Sequence, residues 1–129
     1  VAHMREVMQA CQALGVQFAL DDFGTGFSSL SYLKQLPAET IKIDRTFVDG
    51  LLNDADDRTL VSAIVGLSQA FSRSVIAEGV ETAEQASKLL ALGCDLGQGY
   101  GICKPMPLDH VQDWAEQYTR SHDSLVPAP

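Results

Sequence analysis

Val16-Gln17-Phe18-Ala19-Leu20-Asp21-Asp22-Phe23-Gly24-Thr25-Gly26 sets the reading of the whole chain. Val16 to Leu20 reads as a short strand. Asp21 and Asp22 follow it. Gly24 and Gly26 then mark a loop that needs positive φ or close backbone approach. Ser28 or Ser29 can cap a helix that carries Leu30, Leu33 and Leu36 and stops before Pro37. Strand, acidic loop and helix make one β-α unit.

The same unit recurs outward from this stretch. Upstream, Met4, Val7, Met8, Cys11 and Leu14 have helical spacing, and Gly15 suits a helix end. Downstream, Thr40-Ile41-Lys42-Ile43-Asp44 alternates, with the two Ile on one face and Lys42 and Asp44 on the other. Acidic residues from Asp54 to Asp57 open a helix whose stripe is Leu60, Ile64, Leu67 and Phe71. Ser74 to Ala77 is a third strand, ending at Glu78-Gly79. Thr82 to Gln85 fits a capping box for a helix with Ala86, Leu89 and Leu90 that ends at Gly93. A fourth strand lies at Leu96 to Tyr100. A last helix opens near Pro107 with Leu108, Val111, Ala115 and Tyr118.

The order predicts an α/β fold of parallel strands joined by helices. Four β-α units fill the 129 residues, whereas a closed (β/α)₈ barrel takes about 250. The expected architecture is half of such a barrel. Such a sheet has open edges and a bare inner face, so a homodimer or higher oligomer is expected.

Composition narrows the function. The chain carries 9 Lys and Arg against 17 Asp and Glu, a net charge of −8. That balance disfavours a nucleic-acid groove, which needs clustered basic residues. No apolar run approaches the length of a membrane span, and no secretory signal pattern is present. Cys11, Cys94 and Cys103 are odd in number and widely spaced, reading as reduced thiols of a cytoplasmic protein. Val1 to His3 read as a cloning remnant, and Asp123 to Pro129 as a frayed tail.

The polar residues gather at the carboxyl ends of the strands, where α/β barrels build their sites. Asp21 and Asp22, Lys42 and Asp44, Glu78 and Glu81, and Gln98 all fall there. Several carboxylates beside an inward lysine suit a hard divalent cation. Adjacent aspartates can supply one bridging and one terminal ligand for two ions. Each signal has a plainer reading. Asp-Asp before a glycine loop suits turn chemistry and helix capping. Lys42 can be solvated or paired with Asp44. Glu78-Gly79 can be an ordinary strand end. Glu84, Asp109 and Asp113 read as helix surface, Trp114 and Tyr118 as packing, and His110 and His122 as surface.

Together the segments are more specific. Leu20 to Leu30, Ile41 to Val48, Ala77 to Thr82, and Gln98-Gly99-Tyr100 followed by Lys104-Pro105-Met106-Pro107 resemble the motifs of EAL-domain cyclic-di-GMP phosphodiesterases. They occur in family order and spacing from about Met4 to Tyr118, so residues 1–129 read as a partial EAL domain. The resemblance implies a TIM-like barrel, of which this is the C-terminal half. It implies two Mg²⁺ or Mn²⁺ ions, with Asp21 shared by both, Asp22 on the second and Glu78 supporting that second site. Lys42 would orient or activate the attacking water, and Gln98 would hydrogen-bond near water and substrate. Glu81 and the Asp21–Ser29 loop, with Gly24 and Thr25, would tie substrate binding to dimerisation. Asp44 and Pro105 complete the substrate-side set.

The implied reaction is hydrolysis of cyclic di-GMP to linear pGpG in bacterial signalling. Sensory or GGDEF domains are expected upstream, through which a parent could be membrane-anchored. The family's Glu-Ala-Leu segment, an Asn and a second Glu ligand are absent here, so the chain alone is expected to be inactive. Gly101-Ile102-Cys103 also departs from the aromatic and Ser more usual in the family. The alternative reading is a degenerate EAL domain that binds cyclic di-GMP as a receptor.

Overall fold

The computed structural model describes residues 1–25 and 29–121. The elements run helix α1 (Ala2–Gln12), strand β1 (Ala19–Phe23), α2 (Ser29–Gln35), β2 (Thr40–Ile43), α3 (Arg45–Asp49), α4 (Ala55–Ala70), β3 (Ser74–Glu78), α5 (Ala83–Ala91) and β4 (Leu96–Gln98). A 3-10 turn (Leu108–His110) then leads into α6 (Val111–Ser121). Gly26 to Ser28, His122 and the tail from Asp123 lie outside the described residues.

The strands form one parallel sheet in the order β1-β2-β3-β4. Each crossover contains a helix, as parallel pairing requires. Ile41, Ile43, Val75 and Ala77 point to one face and are buried with Val61, Ile64 and Val65 of α4, Val48 of α3 and Leu89 of α5. Alternation sends Lys42, Ile76, Glu78 and Gln98 to the opposite face. The helices therefore cover one side of the sheet, and the architecture is a partial α/β barrel.

The local chemistry of the ends matches the sequence where caps decide it. Asp54 accepts from the Asp56 N–H at 2.8 Å and starts α4. Thr82 and Gln85 form a reciprocal capping box on α5, with Thr82 Oγ1 accepting from the Gln85 N–H at 3.1 Å. Gly93 closes that helix at φ +96°. All three cysteines are free, and Cys94 is buried.

Four expectations are corrected. The first strand begins at Ala19, because the Val16 N–H closes α1 on Cys11 O at 3.2 Å and the Phe18 N–H goes to Glu39 Oε2 at 2.7 Å. Asp21 and Asp22 consequently lie within β1 instead of after it. Second, Asp44 does not extend β2; it caps α3, accepting from the Thr46 N–H at 3.0 Å. Third, Leu60 and Phe71 are exposed, and α4 buries Val61, Ile64, Val65 and Ser68. Both stripes have helical spacing and share Ile64, so periodicity does not choose between them; the sheet takes the one rich in β-branched residues. Leu30 is likewise exposed, while Leu33 and Leu36 are buried. Fourth, Leu108 is exposed on the 3-10 turn, and α6 has no buried residue. Trp114 and Tyr118 stack on each other, 4.9 Å between ring centres.

Candidate functional site

β1 does not pair evenly with β2. Leu20 faces Ile41 and Phe23 faces Ile43, so three steps on β1 match two on β2. The extra residue is a bulge, a device that re-aims side chains. Asp22 sits in it at φ +51°. That left-handed conformation is tolerated by Asp better than by most residues. Thr25 stabilises the turn, its hydroxyl donating to Asp22 O at 2.6 Å and its N–H at 3.2 Å. Gly24 follows at φ +97°, where a Cβ would come within 2.9 Å of the Phe47 ring.

The bulge brings both aspartates beside the ends of β2 and β3. Asp21, Asp22 and Glu78 each offer a carboxylate oxygen, and these oxygens lie within 4.8 Å of one another. Lys42 reaches across from β2, its Nζ 2.7 Å from Glu78 Oε1 and 4.0 Å from Asp21 Oδ1. Lys42 therefore pairs with Glu78, not with Asp44. The pair is largely enclosed, with side chains 23% and 18% exposed, whereas Asp21 is 60% exposed.

The carboxylates are crowded. A hydrogen bond shared with Glu78 holds Asp21 below the usual range, helped by the Asp22 N–H, which donates to Asp21 Oδ1 at 2.9 Å. Burial pushes Glu78 up, opposed by Lys42. A hydrogen bond with Asp44 pushes Asp22 up, with the Asp21 charge adding to it. Bonds from Thr46 hold Asp44 down. The salt bridge to Glu78 pushes Lys42 up. Three carboxylates, Asp21, Asp22 and Glu78, around one ammonium leave a surplus of negative charge. All the donors are hard oxygens of the type Mg²⁺ and Mn²⁺ prefer, so the set fits a divalent centre.

The other sequence-derived positions are spread around this cluster. Gln98 ends β4 opposite Glu78 in the ladder. Glu81 lies in the β3–α5 loop and pairs with Arg45, Nη2 to Oε1 2.7 Å; the Gly26–Ser28 portion of the loop it was expected to serve is outside the described residues. Pro105 is exposed beyond β4 and is not drawn into the carboxylate cluster. Arg45 was not singled out from the sequence. It stands inside the Ile41–Val48 motif, but its partner is 36 residues away, and only the fold joins them.

The family model for the EAL domain matches residues 1–105. The chain is 47% identical over 105 residues to the bifunctional diguanylate cyclase/cyclic di-GMP phosphodiesterase MucR of Pseudomonas aeruginosa, covering 81% of this chain and 15% of that protein. It is 43% identical over 101 residues to the cyclic di-GMP phosphodiesterase RocR of the same organism, covering 78% and 26%. The chain thus spans only 15% and 26% of those relatives' lengths. Among solved structures it resembles the MucR phosphodiesterase in complex with c-di-GMP, with a TM-score of 0.76 and 46% identity over 83% of this chain and 43% of that one. It also resembles Klebsiella pneumoniae BlrP1 in a manganese and cyclic-di-GMP complex, with a TM-score of 0.72 and 34% identity over 78% and 26%. With that match over most of its length, the chain belongs to the EAL domain family.

Proposed function

We propose that this chain is the C-terminal part of a metal-dependent cyclic-di-GMP phosphodiesterase domain. The observation that carries the reading is the carboxylate set Asp21, Asp22 and Glu78 with Lys42 against Glu78. Asp21, Asp22 and Glu78 would hold two divalent ions, Mg²⁺ or Mn²⁺, whose chemistry is to polarise the phosphodiester and acidify water. Lys42 keeps its charge across the physiological range and is fixed by Glu78. On this reading its ammonium would orient a water for in-line attack and offset charge on the phosphate. Gln98, one strand over, would bond the substrate side of that water. Asp44, Gly24, Thr25, Glu81 and Pro105 would shape the substrate edge.

The bare face and open edges of the sheet would be covered by the preceding half of the domain, which would also supply the remaining ligands. On that reading the 129-residue chain alone does not turn over cyclic di-GMP. Sensory or GGDEF domains would precede it in the parent, which would act in the cytoplasm as a dimer. The names of the relatives support hydrolysis over the receptor alternative. The test is pGpG formation by the parent protein with Mg²⁺ or Mn²⁺, beside its Lys42→Ala variant. Turnover that collapses in the variant is expected. Binding of cyclic di-GMP without turnover by the parent would refute the hydrolase reading.

A further inference from the structure

The β2–β3 ladder ends at the Ile43–Ala77 pair. Glu78 lies one residue past that last rung. Its strand end remains tied to β4 by backbone bonds, since the Val80 N–H donates to Gln98 O at 3.0 Å and the Gly101 N–H to Val80 O at 2.9 Å. Toward β2 the connection passes to side chains. Lys42 grips Glu78 directly. Arg45, three residues beyond Lys42, crosses the same gap and pairs with Glu81 at 2.7 Å. Its Nε is 3.6 Å from Asp49 Oδ2, which braces the guanidinium from its own helix.

The Arg45 stem also occupies the space above Gly79. A Cβ at Gly79 would fall 2.5 Å from Arg45 Cγ, and Gly79 adopts φ +72°. Gly79 is thus the residue that lets the arginine lie flat against the backbone next to Glu78. Gln85 adds a second link, donating from Nε2 to Val48 O at 3.3 Å.

We propose that Arg45 is a positioning residue: by clamping the Gly79–Glu81 backbone to the end of β2, it fixes where Glu78 stands relative to Lys42 and Asp21. The metal side of this proposal rests on the divalent-ion reading above; the clamp itself does not. An exposed ion pair adds little to global stability, so the effect should be local.

The test compares the wild-type chain with Arg45→Ala, Arg45→Lys, Gly79→Ala, Arg45→Glu and the reversed pair Arg45→Glu/Glu81→Arg. Amide hydrogen exchange is read at Val80 and Glu81, and Mn²⁺ affinity by electron paramagnetic resonance. Arg45→Ala should speed exchange at these amides and weaken Mn²⁺ binding, each roughly fivefold. Gly79→Ala should do the same by displacing the arginine. Arg45→Lys should recover part of the loss, and the reversed pair should recover more than Arg45→Glu alone. Unchanged exchange in Arg45→Ala would overturn the clamp. Faster exchange with unchanged Mn²⁺ affinity would overturn the positioning role. Faster exchange with no Mn²⁺ binding by the wild-type chain or by its parent protein would uphold the clamp, refute its role in metal placement and sink the divalent-ion reading separately.

Discussion

Replacing Lys42 by Met would keep most of the stem's volume and remove the ammonium. Glu78 would then be left about four-fifths enclosed, with the Asp21 carboxylate beside it and no counter-charge. Breaking a fully buried pair costs about 3–5 kcal/mol, and an exposed one about 0–1 kcal/mol. A pair with side chains 23% and 18% exposed falls between these limits. The expected loss is about 2 kcal/mol at neutral pH, which is a fall in Tm of roughly 8 °C for a domain of this size.

The loss should depend on pH in a defined direction. Burial already raises the Glu78 pKa in the folded chain, and Lys42 opposes the rise. Removing Lys42 raises it further. A group with a raised folded pKa gives stability below its unfolded value and loses it as pH climbs through the folded one. The deficit of Lys42→Met against wild type should therefore be small near pH 4 and grow toward pH 7. Urea unfolding at several pH values, without divalent ions, measures it. A deficit that stays constant across this range would refute the claim that Glu78 is the partner Lys42 neutralises.

Two further outcomes follow from the same geometry. Millimolar Mn²⁺ should raise the Tm of the wild-type chain by mass action, and Asp21→Asn should lose most of that rise; an equal rise in both would remove Asp21 from the ligand set. Gly99→Ala would place a Cβ 2.3 Å from the Val80 backbone N and O, breaking the loop-to-β4 bonds at a cost of about 3 kcal/mol; a Tm within 2 °C of wild type by differential scanning calorimetry, against the roughly 12 °C fall that cost implies, would contradict the close approach described.

Much of the order of strands and helices is legible in the sequence because the main crossover helices α4 and α5 have chemical starts or stops. Asp54, Thr82 and Gly93 carry that information locally. What the sequence does not disclose is mostly the choice among equivalent local patterns. Val16 to Leu20 has the composition of a strand, but the end of α1 consumes its first residues. The stripes through Leu60 and Val61 are both helical, and only contact with the sheet separates them. The short helix α3 is invisible because Asp44, its cap, also completes an alternating strand pattern. The same holds at the candidate site. Strand ends identify the acidic residues, whereas the Lys42–Glu78 and Arg45–Glu81 pairs depend on which strands become neighbours.

The bulge at Asp22 has a consequence for engineering. It is the cheapest irregularity in β1 to remove: deleting one residue between Leu20 and Phe23 would restore even pairing with β2 and relieve a left-handed backbone. The shortened strand would keep its hydrophobic face in phase, because Phe23 would still oppose Ile43. It would also have one aspartate where there are now two. Selection for thermal robustness alone would push toward that deletion, so a library screened only for heat resistance should be enriched in molecules that have lost one of the two candidate ligands.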